Sequence, residues 1–298
     1  CSRLRRAGAV GVRRRAGKTL MRIGAIIATA ICAGGAAEAA GLPRAASLDF
    51  CADQYLLALA DRSQIAAVSP GADEEDSYLR ASARGLRVAR PTTEEIATVK
   101  PDVVFRFWGG APGMTEALSR FGAQVITLDY PSDFDIVRKD IRVAAAALGR
   151  EEAGERLIAE LDGRLHRLAQ RPRSDVAALY LTPGGVTAGS GTMIHAIIEA
   201  AGLTNAAADR AGWPPLPMET IAFEPPAFIV AGFFEAATEY VNHWSASRHP
   251  VFAKTLAETP TVRLRAELIS CPAWFAIEAA EEIAERAQAI NKSRPDAE

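Results

Sequence analysis

The chain has 298 residues, 49 % apolar and 23 % charged, which is enough to bury a real core in two modest α/β lobes or one large domain. A net charge of −2 supplies no broad basic field, so the balance argues against a nucleic-acid partner. The basic run from Arg3 to Lys18 is confined to the extreme N-terminus.

That end reads as an export signal. Met21-Arg22 precedes an apolar, small-residue run from Ile23 to Ala37, closed by Ala37-Glu38-Ala39. The charged, hydrophobic, small-x-small order predicts a leader cut after Ala39, with Met21 as its start and residues 1–20 upstream of it. The run is too short and too rich in Ala and Gly for a good membrane span. Ile31 is bulky where lipidation at Cys32 would want a small residue. Export implies the periplasm and an oxidising environment. If Cys1 and Cys32 leave with the leader, Cys51 and Cys271 remain; they suggest one disulfide, with two separate buried thiols as the alternative. No CxxC or HxxxH spacing occurs, and His166, His195, His243 and His249 form no metal-ligand cluster.

Residues 45–50 read as a first strand, and Asp53 as the cap of a short helix reaching Leu59. Ile65 to Val68 is a second strand ending at Ser69-Pro70-Gly71, and 72–84 is a polar loop with a helical turn. Thr92 to Glu95 opens a helix in capping style, Lys100-Pro101 closes it, and residues 102–105 form a buried strand. Residues 115–121 are helix and 125–128 strand. From Ser132 to Gln170 apolar residues recur at three-and-four spacing, which predicts one long helix of about 55 Å joining two halves, weakened at Gly149 and Gly154. The alternation then resumes with a strand at 175–181, a glycine-rich loop at 184–191 and a helix capped by Thr192. Beyond it come a short helix at 218–223, a strand at 228–230, a helix at 251–256, short strands at 262–264 and 268–269, and a final helix at 275–290. Strand–helix–strand repetition on both sides of a helix gives two mainly parallel α/β lobes. The divisions are 1–39 (upstream segment and leader), 40–131 (N-terminal lobe), 132–171 (joining helix) and 172–298 (C-terminal lobe).

Ligands of parallel sheets gather at the C-terminal ends of strands. There Trp108 stands beside Gly109 and Gly110, a flat platform next to bare backbone, and Trp213-Pro214-Pro215 is a second aromatic signal. Either tryptophan could instead simply cover a sheet edge. The loop 184–191 fits neither the P-loop nor the dinucleotide pattern, and reads as a tight turn. With Ala188 in place of serine, the hydrolase elbow is incomplete. An exported α/β hydrolase therefore has no visible nucleophile–base pair. Glu116 and Glu219 are single carboxylates near helix starts, which the helix dipole alone would explain.

Several stretches, in this order, resemble the class III periplasmic binding proteins of ABC importers, the cobalamin and ferric-siderophore receptors. They are Ser47 to Gln54, Glu95-Ile96 through Lys100-Pro101-Asp102-Val103-Val104, Trp108-Gly109-Gly110, Gly184-Gly185 through Thr192, and Trp213-Pro214 followed by Met218 to Ile221. The resemblance covers about residues 45–290 and implies a non-enzymatic receptor that needs no resident cofactor. It implies a monomer holding a small metal chelate between two lobes and docking on an inner-membrane permease. Trp108, Gly109, Gly110, Trp213, Gly185 and, more weakly, Tyr78 would wall the cleft. Glu219 would be one docking carboxylate, with Glu116 the nearest match for the other. A corrinoid ligand suits aromatic walls and few charges, and a ferric siderophore or similar iron chelate is the alternative. A Cys51–Cys271 bond would link the two lobes.

Overall fold

The computed structural model describes residues 41–234 and 246–292; the leader reading and His243 lie outside them. The first parallel sheet contains β1 (Ala45–Ser47), β2 (Ile65–Ala67), β3 (Val103–Arg106) and β4 (Gln124–Thr127), in the order β2-β1-β3-β4. The second contains β5 (Ala177–Leu181), β6 (Thr204–Asn205), β7 (Phe228–Gly232) and β8 (Thr261–Leu264), in the order β6-β5-β7-β8. The two sheets repeat one topology. Their central strands are buried on both faces, which is why they are written in continuous runs such as Val103-Val104-Phe105 and Phe228-Ile229-Val230.

In the first lobe the strands alternate with α1 (Phe50–Leu59), α2 (Arg80–Ala83), α3 (Thr93–Val99) and α4 (Met114–Arg120). The cap of α1 is Asp49, whose carboxylate accepts from the Ala52 N–H at 2.9 Å, and not Asp53 as the sequence suggested. Asp53 falls inside the first turn, fully buried, where it accepts from the hydroxyls of Ser47 and Ser69 and from the Ser69 N–H. Thr92 caps α3 as expected. Lys100 ends it in the left-handed region at φ 49°, ahead of Pro101.

The expected long strut is two helices, α5 (Phe134–Leu148) and α6 (Glu151–Ala169). Gly149 adopts φ +64° and closes α5, a conformation that costs glycine little. The chain then reverses, and the ion pairs Arg142–Glu155 and Arg138–Asp162, both at 2.7 Å, show α6 running antiparallel to α5. Gly154 lets the two approach, because a β-carbon there would stand 2.6 Å from that of Ala145. Each half of the apolar stripe is thus covered partly by the other half, and no 55 Å rod forms.

The second lobe adds α7 (Met193–Ala200), α8 (Met218–Phe223), α9 (Pro250–Glu258), α10 (Ala266–Ile269) and α11 (Ala276–Lys292). Leu268 and Ile269, expected as strand, belong to the single turn of α10, and the two-residue β6 was not foreseen. One apolar core runs continuously from Ala45, Tyr55 and Phe105 through α5 and α6 to Tyr180, Ile197 and Ile283. Separate smaller cores lie outside each sheet, around Ile96 and Leu118 in one lobe and Ile221 and Phe252 in the other. Among the described residues no helix is long and apolar enough to cross a membrane.

Candidate functional site

The C-terminal ends of β3 and β4 carry a cluster of rings. Trp108, half exposed, meets Phe50 edge-on at 5.8 Å and lies 6.1 Å from Phe107 and 6.5 Å from Tyr130. The turn that presents it is fixed from below. One Asp49 carboxylate oxygen accepts from the backbone N–H groups of Phe107, Trp108 and Gly109 at 2.8, 3.2 and 3.0 Å. Gly109 is obligatory there, since a β-carbon would stand 2.4 Å from the Leu48 carbonyl oxygen, and Gly110 has φ +89°. The Arg106 guanidinium donates to the Trp108 carbonyl oxygen and the Thr115 hydroxyl at 3.3 and 3.4 Å, bracing the same turn from its other side.

In the second lobe Trp213 is equally exposed, with its ring edge-on to Tyr180 at 6.0 Å. Its loop hangs on the glycine-rich segment: Leu216 N–H donates to the Gly185 carbonyl at 2.8 Å and Thr187 N–H to the Pro214 carbonyl at 3.1 Å. Thr192 caps α7 through the His195 N–H, and the His195 ring faces the Asn205 side chain at 3.2 Å.

Against Trp213 lies a small cavity of about 80 Å³. Tyr130, Pro131 and Ser132 come to it from the first lobe, Gly191 to Ile194, Ile197 and Trp213 from the second, and Leu268, Ile269, Cys271, Pro272 and Ala276 from α10, the turn after it and the start of α11. Its lining is largely apolar, with a phenol, two hydroxyls and backbone as polar groups. Among the described residues no group of three His, Cys, Asp or Glu side chains could hold a bare metal ion. The lining suits an apolar ligand surface better than a bare ion.

Compared by sequence with curated proteins, the chain finds no match. The pattern that defines the periplasmic binding proteins, however, matches residues 46–263, taking in both sheets. The chain belongs to that family. Solved structures of the same fold include the periplasmic haem-binding protein BhuT in complex with two haems, at 20 % identity and TM-score 0.66, covering 83 % of this chain and 98 % of that one. The haem-binding protein HutB of Vibrio cholerae matches at 19 % identity and TM-score 0.65, covering 85 % and 99 %. The vitamin B12 binding protein BtuF of Vibrio cholerae matches at 20 % and 0.61, covering 84 % and 98 %. Periplasmic binding proteins of this family are the substrate-binding components of ABC importers, not enzymes.

Of the residues singled out from sequence, Trp213 lines the cavity and Trp108 stands one ring away from it, behind Tyr130. Gly109 and Gly185 are buried and shape the loops that carry the two tryptophans. Tyr78 is committed elsewhere. Its hydroxyl donates to Glu278 at 2.6 Å and its ring stacks on Phe275 at 4.2 Å, so burial first and then that carboxylate push its pKa up to about 12. Cys51 and Cys271, with Cα atoms 5.3 Å apart, form a disulfide between α1 and the cavity-lining segment. Glu219 is exposed in the first turn of α8, and Glu116 in that of α4. Asp129-Tyr130 was legible as one of the strand ends where ligands gather, but nothing in the sequence marked the tyrosine itself as a wall residue. The 268–276 segment was not singled out, because its place at the cavity depends on tertiary structure.

Proposed function

We propose that this chain is an exported receptor that captures a corrinoid between its lobes and delivers it to an ABC importer. The observation that carries the reading is the pair of exposed indoles on opposite lobes, Trp213 lining an apolar cavity and Trp108 next to Tyr130, which lines it from the other lobe. A large macrocycle gains most from flat aromatic walls and backbone groups, and little from charges. A ferric catecholate would need converging cations, whereas Arg106 is occupied with two neutral acceptors in its own lobe. The second reading is a haem-type or hydroxamate iron chelate, as the haem-binding relatives suggest. The exposed Tyr130 favours it, since its hydroxyl has no hydrogen-bond partner among the described residues. Equilibrium dialysis against cyanocobalamin, haemin and a ferric hydroxamate decides between them: retention of cyanocobalamin alone is expected, and retention of haemin alone transfers the ligand to the second reading.

For docking on the permease, the internal repeat supports another pair of carboxylates. Glu219 lies on α8, the helix ahead of β7, and the matching helix ahead of β3 is α3, whereas α4 follows β3. In the first turn of α3, Glu95 is paired with Arg90 at 2.5 Å while Glu94 is exposed without an ion pair among the described residues. Glu94 with Glu219 is therefore the proposed docking pair, in place of Glu116. In cells, ligand uptake should fall with Glu94→Ala and Glu219→Ala and hold with Glu116→Ala, while ligand retention by the purified variants is unchanged.

A further inference from the structure

We propose that the first turn of α1, Asp49 to Cys51, is a joint that positions the Trp108 turn and the cavity-lining segment around Cys271 independently. Asp49 holds the Trp108 wall: one oxygen takes the three N–H groups of residues 107–109 while the other caps its own helix at Ala52. A carboxylate has lone pairs enough for both tasks and is a stronger acceptor than any neutral group. Phe50, next in sequence, lays its ring against the edge of Trp108. Cys51 holds the other side, through the disulfide to Cys271, which lines the cavity with Leu268, Ile269 and Pro272. Further ties join that segment to the first lobe. Trp274 meets Tyr55 edge-on at 5.4 Å, Phe275 stacks on Tyr78, and Arg80 pairs with Glu267. The cavity side at 268–276, encoded after the last strand of the second lobe, is thus fastened to the first.

The cavity reading supplies only the binding test below; the joint itself is tested without ligand. Amide hydrogen exchange is compared in the wild-type chain, in Asp49→Asn, and in the double variant Cys51→Ala with Cys271→Ala. Asparagine keeps one acceptor oxygen where the carboxylate has two; with that oxygen on the Ala52 cap its NH2 faces residues 107–109, so exchange there should rise about tenfold with 268–276 unaffected. The double variant should do the reverse. If Asp49→Asn does not fold, Asp49→Ser keeps a helix cap but is too short for the three N–H groups, and the same local change is expected. Equal acceleration of both segments in either variant, or none in either, overturns the joint. Cyanocobalamin affinity should weaken in both variants at a temperature where each is folded. Failure of the wild type to bind it removes the proposed ligand and leaves the exchange result to decide the joint.

Discussion

Asp53 and Asp140 are buried with no cation bonded to either carboxyl among the described residues, and desolvation is the first cause raising both, to about 6 and about 7. Asp140 accepts from the Asp129 N–H at 3.2 Å with one oxygen and leaves the other unpartnered, as is the neighbouring Tyr55 hydroxyl. Lys139, beside it, is spent on Asp129. A carboxyl raised above its unfolded pKa supports the fold fully below the unfolded value of about 4 and loses that contribution as pH rises through the folded value. The melting temperature should therefore decline from pH 5 to pH 8, and Asp140→Asn should flatten the decline by removing the charge. Parallel profiles for variant and wild type would contradict this. Sequence reading placed a capping carboxylate at the start of α1 but chose Asp53 over Asp49. Both types and both spacings suit a cap, and only the position of Ser69 and of the 107–109 turn, far along the chain, separates their roles.

The helical hairpin shows how far local pattern reaches. Gly149 and Gly154 were legible as weak points, and the apolar stripe was legible on either side of them. The reversal was not, because it depends on Ala145 meeting Gly154 and on arginines of α5 meeting carboxylates of α6. Gly149→Ala places a β-carbon at φ +64° and should cost about 1 kcal/mol, read as a lower urea midpoint with an unchanged slope. An unchanged midpoint would mean that the turn tolerates a side chain. Short elements were the least legible. The two residues of β6 show no period, and the apolar pair Leu268-Ile269 reads equally as strand or as a buried turn of helix.

The whole molecule is one topology used twice and sewn together. The strand order is repeated, but Trp108 follows β3 and Trp213 follows β6, which are not equivalent strands, while the core through α5, α6 and α11 is common to both lobes. Arg164 of α6 reaches Glu281 at 2.5 Å and Glu278 at 3.5 Å, and Glu278 also receives Tyr78 from the first lobe. With the disulfide beside it, this network ties elements of the two lobes together. The two-lobe plan and the family were readable because parallel strands, caps and their order are written locally; the cavity was not, because three distant segments close it. The most direct measurement is a titration of the chain from Ala40 with cyanocobalamin, following tryptophan fluorescence in the wild type, Trp108→Ala and Trp213→Ala. Saturable quenching that weakens in both variants is predicted. No quenching in the wild type, or quenching of equal affinity in all three proteins, would contradict a corrinoid held between these two walls.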